Sequence, residues 1–161
     1  MKRTANCKVG VFACVFFCAL VAALAAPETQ PPYYTRIAKM ASFIGAGDPV
    51  GALETFDKAI AGYATIAEDL QALAAQTEAL CSIDVVEDKE ADDEKTDVHH
   101  LDLDWYMTLK SRSDSGLVEP RRQRVAVTIQ RFHAGSVRNA KDSWRITSFS
   151  PLQILAPITI K

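Results

Sequence analysis

The sequence predicts an α+β domain in which N-terminal helices cover one face of a curved antiparallel sheet of about four strands. Two observations carry this: apolar residues recur every three to four positions in the first half, then every second position in the second half. A third is the placement of turn-rich segments, which fall between the alternating runs and make a meander the natural connection.

Residues 1–25 read as an export signal. Lys2, Arg3 and Lys8 make a basic start, residues 9–24 are almost unbroken apolar, and Ala23-Leu24-Ala25 gives the small-x-small pattern for cleavage. The apolar run is shorter than the roughly 20 residues of a spanning helix. A mature chain from Ala26 is therefore expected to end in a periplasm or outside the cell, with no membrane anchor.

Losing the leader leaves 15 basic residues against 20 acidic ones and takes the formal charge from −2 to −5. That balance disfavours nucleic acid and anionic membranes, which need a basic face to displace counterions. Cys7, Cys14 and Cys18 leave with the leader. Cys81 stands alone, so the core must hold by packing without an internal disulfide, and Cys81 reads as a small buried apolar side chain.

Pro27, Pro31 and Pro32 predict an extended linker over residues 26–34, ahead of a domain at 35–157. Ile37, Met40, Ala41 and Ile44 share one face of a helix over 35–44, which Gly45-Ala46-Gly47 stops. Asp48-Pro49 supplies an N-cap and a first-turn proline for a second helix to about residue 60, with Leu53 and Phe56 inward. A third helix is expected over 63–80, with Ile66, Leu70, Leu73, Thr77 and Leu80 as its buried stripe.

Residues 82–87 form a short β-rich run. Residues 98–110 alternate, with Leu101, Leu103, Trp105, Met107 and Leu109 on one face and His100, Asp102, Asp104, Tyr106 and Thr108 on the other. Residues 121–132 alternate through Val125, Val127 and Ile129. Residues 143–155 place Trp144, Ile146 and Ser148 on one side before Pro151 marks a bend. The acidic stretch at 87–96, Asp114-Ser115-Gly116, and Gly135 with Asn139 read as turns.

Four groups bear on chemistry. His100, Asp102 and Asp104 form one polar row that has the ligand types for a divalent metal, although a solvent-facing strand side needs the same residues, with Arg122 and Arg124 as cross-strand partners. The acids at 84–104 lack calcium-loop spacing and read as a solvated tip. Arg121-Arg122-Gln123-Arg124 reads as strand pairing rather than an acid-binding patch. Tyr63, Trp105, Trp144 and Phe149 are the candidate lining of an apolar ligand pocket, with plain core as the competing role. No P-loop, dinucleotide turn, nucleophile elbow, His-Glu-x-x-His helix or paired Cys-x-x-Cys occurs, so no cofactor is expected.

Phe56-Asp57 followed by Gly62-Tyr63, Ala72-Leu73, Ser82-Ile83, Asp104-Trp105-Tyr106, Arg121-Arg122, Trp144-Arg145-Ile146, and Pro151 ahead of Ala156-Pro157 occur in an order that resembles the nuclear transport factor 2-like superfamily. The likeness spans residues 36–157 and is closest to small exported bacterial members. It implies a cone-shaped α+β fold whose members include isomerases, dehydratases, ligand binders and dimeric partner-binding modules. Catalytic members resembling ketosteroid isomerase or scytalone dehydratase set acidic, tyrosine or histidine side chains inside the cone. Here the usual early hairpin between the second and third helices has no room in 56–63.

The expectation is an exported, non-enzymatic binding module for a partner protein or an apolar small molecule, working as a homodimer through its sheet. The alternative is a small lyase or isomerase with Asp84, His99 or Tyr106 acting inside the cone.

Overall fold

The computed structural model describes residues 30–91, 97–114, 116–133 and 143–158. Residues 1–25, where an export signal is expected, lie outside these residues, as do positions 26–29, residues 92–96 of the acidic stretch and residues 134–142.

The chain opens with helix α1 (Pro32–Gly45). Pro32 occupies the first helical position, where its missing N–H costs nothing, so Pro32, Tyr33 and Tyr34 belong to the helix and not to the linker expected there. Tyr33, Ile37, Met40 and Ile44 form its buried stripe. Helix α2 (Pro49–Leu53) is capped by Asp48, whose carboxylate accepts from the Gly51 N–H at 2.9 Å.

Helix α2 stops at Leu53, well short of the end expected near residue 60, because the backbone at 55–57 pairs with a strand instead. Ile146 N–H donates to the Thr55 carbonyl at 3.0 Å, and Asp57 N–H donates to the Ile146 carbonyl at 2.8 Å. Phe56 is buried as expected, but from extended backbone.

Helix α3 (Tyr63–Gln76) runs straight into strand β1 (Thr77–Glu90). The helical stripe expected to continue through Leu80 therefore breaks. Thr77 and Ala79 are buried, while Leu80 points outward and is 74% exposed. Period two takes over because Thr77 to Val85 pair residue by residue with Ser111 to Leu103 of β2 (Val98–Ser111), and ladder bonds outrank a four-residue helical preference. β3 (Val118–Phe132) and β4 (Ser143–Ser150) complete an antiparallel sheet in the order β1-β2-β3-β4, curved and unclosed. A 3₁₀ turn (Leu152–Leu155) follows a cis Ser150–Pro151 bond.

Two bulges re-aim side chains. Val85 faces Leu103 and Glu87 faces Asp102, leaving Val86 as the extra residue of β1. Thr128 faces Ser148 while Ile129 faces Ile146, leaving Thr147 as the extra residue of β4. The second bulge sends Ser148 outward and Phe149 inward, where unbroken alternation predicts the reverse.

The helices lie on the inner face, and the two sides of the sheet divide as the alternation predicts. Leu101, Leu103, Trp105, Met107, Leu109, Val125, Val127 and Ile129 are all buried. Arg121 ties the chain end to this layer. Its Nη1 donates to the Ile154 and Ala156 carbonyls, its Nη2 donates to the Pro157 carbonyl at 3.3 Å, and its Nε pairs with Glu119. It is a structural fork to the segment after β4, whereas the cross-strand pairing expected of the 121–124 cluster is made by Arg122 with Asp104.

Candidate functional site

Among the described residues the inside of the curved sheet is filled. Trp105 is completely buried, with Phe149 edge-on to its indole at 5.6 Å and Phe56 edge-on to Phe149 at 5.7 Å. Met40, Ile66, Leu73, Leu103, Met107 and Ile146 close around them without exposure. A hollow of about 10 Å³ lies between α1, α3 and β1, against Ile44, Leu73 and Ala79; that holds about one water. Hollows of 260, 460, 300 and 270 Å³ are all open to solvent.

The four residues proposed to line an apolar pocket are thus distributed over three places. Trp105 and Phe149 are core. Tyr63 opens α3 on the wall of an outer cleft between α1 and β4. Trp144 is half-buried at the end of the sheet where β4 begins, against Tyr33.

The proposed acid–base set divides as well. Asp84 and Tyr106 stand on the outward face with Ser82, Asp104 and Arg122, around the 300 Å³ hollow. They are not inside the cone, because strand alternation puts them opposite the Trp105 side. Only His99 points inward.

His99 meets partners that the alternation did not place together. The Val86 bulge turns Asp88 to the inner face, and its carboxylate accepts three hydrogen bonds: from Tyr33 Oη at 2.8 Å, Tyr34 Oη at 3.0 Å and His99 Nδ1 at 2.9 Å. The Tyr33 ring stacks on the imidazole, centroids 4.0 Å apart and 23° from parallel, and Trp144 flanks it at 5.6 Å.

Burial alone would lift the Asp88 carboxyl, but the three hydrogen bonds outweigh it and hold the acid below its ordinary range. Burial, then the bond to Asp88, raises both the Tyr33 and Tyr34 phenols. An ionised Asp88 fixes the imidazole proton on Nδ1 and leaves Nε2 as the basic nitrogen. The sequence signal that would have found this group is the pair Val85-Val86 ahead of Glu87-Asp88, two β-branched residues where alternation allows one inward. Asp88 itself reads as part of an acidic turn.

The polar row on the outward face makes cross-strand pairs. Arg122 grips Asp104 with both Nε (3.1 Å) and Nη2 (2.6 Å), and His100 Nδ1 lies 3.1 Å from Thr128 Oγ1. The bond to Arg122 holds the Asp104 carboxyl low, and Asp104 in turn raises the guanidinium. His100, Asp102 and Asp104 do not converge on a common point, and among the described residues no group of three or more His, Cys, Asp or Glu is close enough to hold a metal ion.

Cys81 sits half-buried in β1 rather than at a helix end. Burial pushes its thiol up to about 11. An unreactive side chain is the result.

No protein-family model and no curated protein sequence matches the chain. Solved structures do. Aln2 from a Streptomyces species aligns with a TM-score of 0.50 at 18% identity, over 74% of this chain and 89% of that one. A nuclear transport factor 2-like superfamily protein from Salmonella enterica serovar Typhimurium aligns with a TM-score of 0.50 at 16% identity, over 79% and 89%. The fold is that of the nuclear transport factor 2-like superfamily, as the order of motifs implied.

Proposed function

We propose that this nuclear transport factor 2-like domain is an exported, non-enzymatic binding module for a partner protein or an apolar small molecule, and that it works as a homodimer paired through the outward face of its sheet. The observation that carries this reading is the solid interior. With Trp105, Met107 and Phe149 filling the space a substrate would need, the exposed sheet is the large patterned surface left for recognition.

That surface is suited to pairing with a copy of itself. β1 and β2 present Asp84, Asp102 and Glu87, while β3 presents Arg122 and Arg124. A twofold axis running along β2 lays the acidic strand of one copy over the basic strand of the other, an isologous contact with complementary charge. Exposed Tyr106, Leu80 and Val118 supply apolar contacts. The leader pattern of residues 1–25 supports export.

Sedimentation of the purified chain over about 1–100 μM tests this. A dimer weakened at least tenfold by Arg124→Glu, and partly restored when Asp84→Lys is added, is the expected result. A monomer throughout this range, or a dimer indifferent to both changes, would refute the sheet-face arrangement.

One observation favours the alternative of a small lyase or isomerase. The Asp88–His99 pair leaves Nε2 of His99 as a general base in the arrangement that catalytic dyads use. Turnover of an enolisable carbonyl compound or a β-hydroxy carbonyl compound, lost in His99→Gln, would support it. Absence of turnover across such a panel would remove it.

A further inference from the structure

The cleft at which Tyr63 stands has a charge pattern that neither the core nor the sheet face uses. It lies between α1, α2 and β4, measures 270 Å³, and is lined by Arg36, Lys58 and Arg145 with Leu53, Phe56 and Tyr63. Among the described residues Glu54 is the one carboxylate of its lining, and Asp57 stands beside it, 3.5 Å from Arg145. Among the described residues three cations face two acids, which leaves one net positive charge over a partly apolar wall.

Among the described residues neither guanidinium uses all its donors. Arg36 donates from Nη2 to the Glu54 carbonyl, but its Nε is shut off from solvent and has no acceptor among the described residues. A buried donor left unpaired costs free energy until something accepts from it. Arg145 reaches Asp57 only at 3.5 Å and lies over the Phe132 ring at 5.2 Å. Burial, and next the charge of Arg145, holds the Arg36 guanidinium below its ordinary range. The two cations therefore repel one another, and an anion between them would relieve that repulsion.

The chemistry of the walls narrows the anion. Planar guanidinium forks match a carboxylate in two-point geometry. The half-buried Leu53 side chain and Tyr63 ring favour a ligand with an apolar body to cover them, which inorganic phosphate or sulfate does not have. The volume suits a molecule of about ten heavy atoms, at the small end of ligand sites. We propose that this cleft is a binding site for a small organic carboxylate with an apolar or aromatic body, held at its charged end by Arg36 and Arg145 and covered at its rim by Lys58 and Tyr63.

The site is independent of the sheet face and of the Asp88 group, so it can be tested separately from the proposed dimer. Isothermal titration of the full chain with sodium phenylacetate, with 2-phenylethanol as the neutral counterpart and inorganic phosphate as the plain anion, reads it directly. Phenylacetate is expected to bind with a dissociation constant of about 1 mM or below, and the alcohol and phosphate at least tenfold more weakly.

Arg145→Gln is expected to weaken phenylacetate at least tenfold, and Lys58→Gln about threefold. Arg145 and Lys58 are both solvent-accessible, so these variants keep the fold even where Arg36→Met does not, and circular dichroism checks that they do. Equal binding of phenylacetate and 2-phenylethanol would overturn the charge assignment. Equal or tighter binding of phosphate would overturn the carboxylate assignment. Unchanged affinity in Arg145→Gln, or no heat with any of the three at 10 mM, would overturn the site itself while leaving the dimer proposal standing.

Discussion

Replacing Asp88 by alanine removes one carboxylate and strands three donors. The hydroxyls of Tyr33 and Tyr34 and the Nδ1–H of His99 all end on it, at 2.8, 3.0 and 2.9 Å. A hydrogen bond to a charged group contributes about 1.5–3 kcal/mol in protected sites. Here the carboxylate is 22% exposed and the imidazole 14%, so water replaces part of each bond and about 1 kcal/mol apiece is the better figure. The expected loss is about 2–4 kcal/mol, a fall in Tm of roughly 10 °C for a domain of this size.

The sign of the pH dependence follows from the depressed acid. Its contribution is present above the unfolded carboxylate value, about 3.9, and is lost as pH falls through the lower folded value. Urea unfolding followed by circular dichroism at pH 7 and pH 3, on the parent and Asp88→Ala, measures both quantities. A difference below about 0.5 kcal/mol at pH 7, or one that does not narrow at pH 3, would show that the three bonds do not hold α1 to the sheet.

Three further outcomes are expected. Because both phenols are raised, their contribution is present below about pH 10 and is lost as pH climbs through the folded values; the parent should lose stability above pH 10 more steeply than Asp88→Ala, and parallel curves would contradict this. Trp105→Ala should cost about 3–5 kcal/mol and leave a dry cavity that indole refills, visible as a rise in Tm on adding indole; an equal rise in the parent would mean that the cone is not full. Deleting Val86 should remove the bulge while leaving Glu87 opposite Asp102 and Asp88 opposite Leu101, so Asp88 stays inward, the loss of stability is well below that of Asp88→Ala, and Trp144 fluorescence is unchanged; a loss as large as that of Asp88→Ala would contradict this.

Periodicity, and with it the assignment of faces, is legible in the chain alone. Leu101 through Leu109 had to share one side of a strand and His100 through Asp104 the other, since side chains alternate wherever the backbone is extended. From that came the buried sheet face, the outward polar row and the α+β class. The placement of Arg122 opposite Tyr106 and within reach of Asp104 follows from the same rule once β3 pairs with β2.

Other choices, which local preference leaves open, fell to the assembled sheet. Residues 54–60 and 77–80 are helix-compatible, but backbone pairing to β4 and β2 took them, because a strand edge offers bonds that a short helix end cannot match. The one-residue excess at Val86 depends on where β1 and β2 fall out of register, a property of two strands together and invisible in either. It carried Asp88 from an acidic turn to the inner face beside His99, and in the same way the folding of α1 against β4 brought Arg36 and Arg145, 109 positions apart in the sequence, onto one cleft.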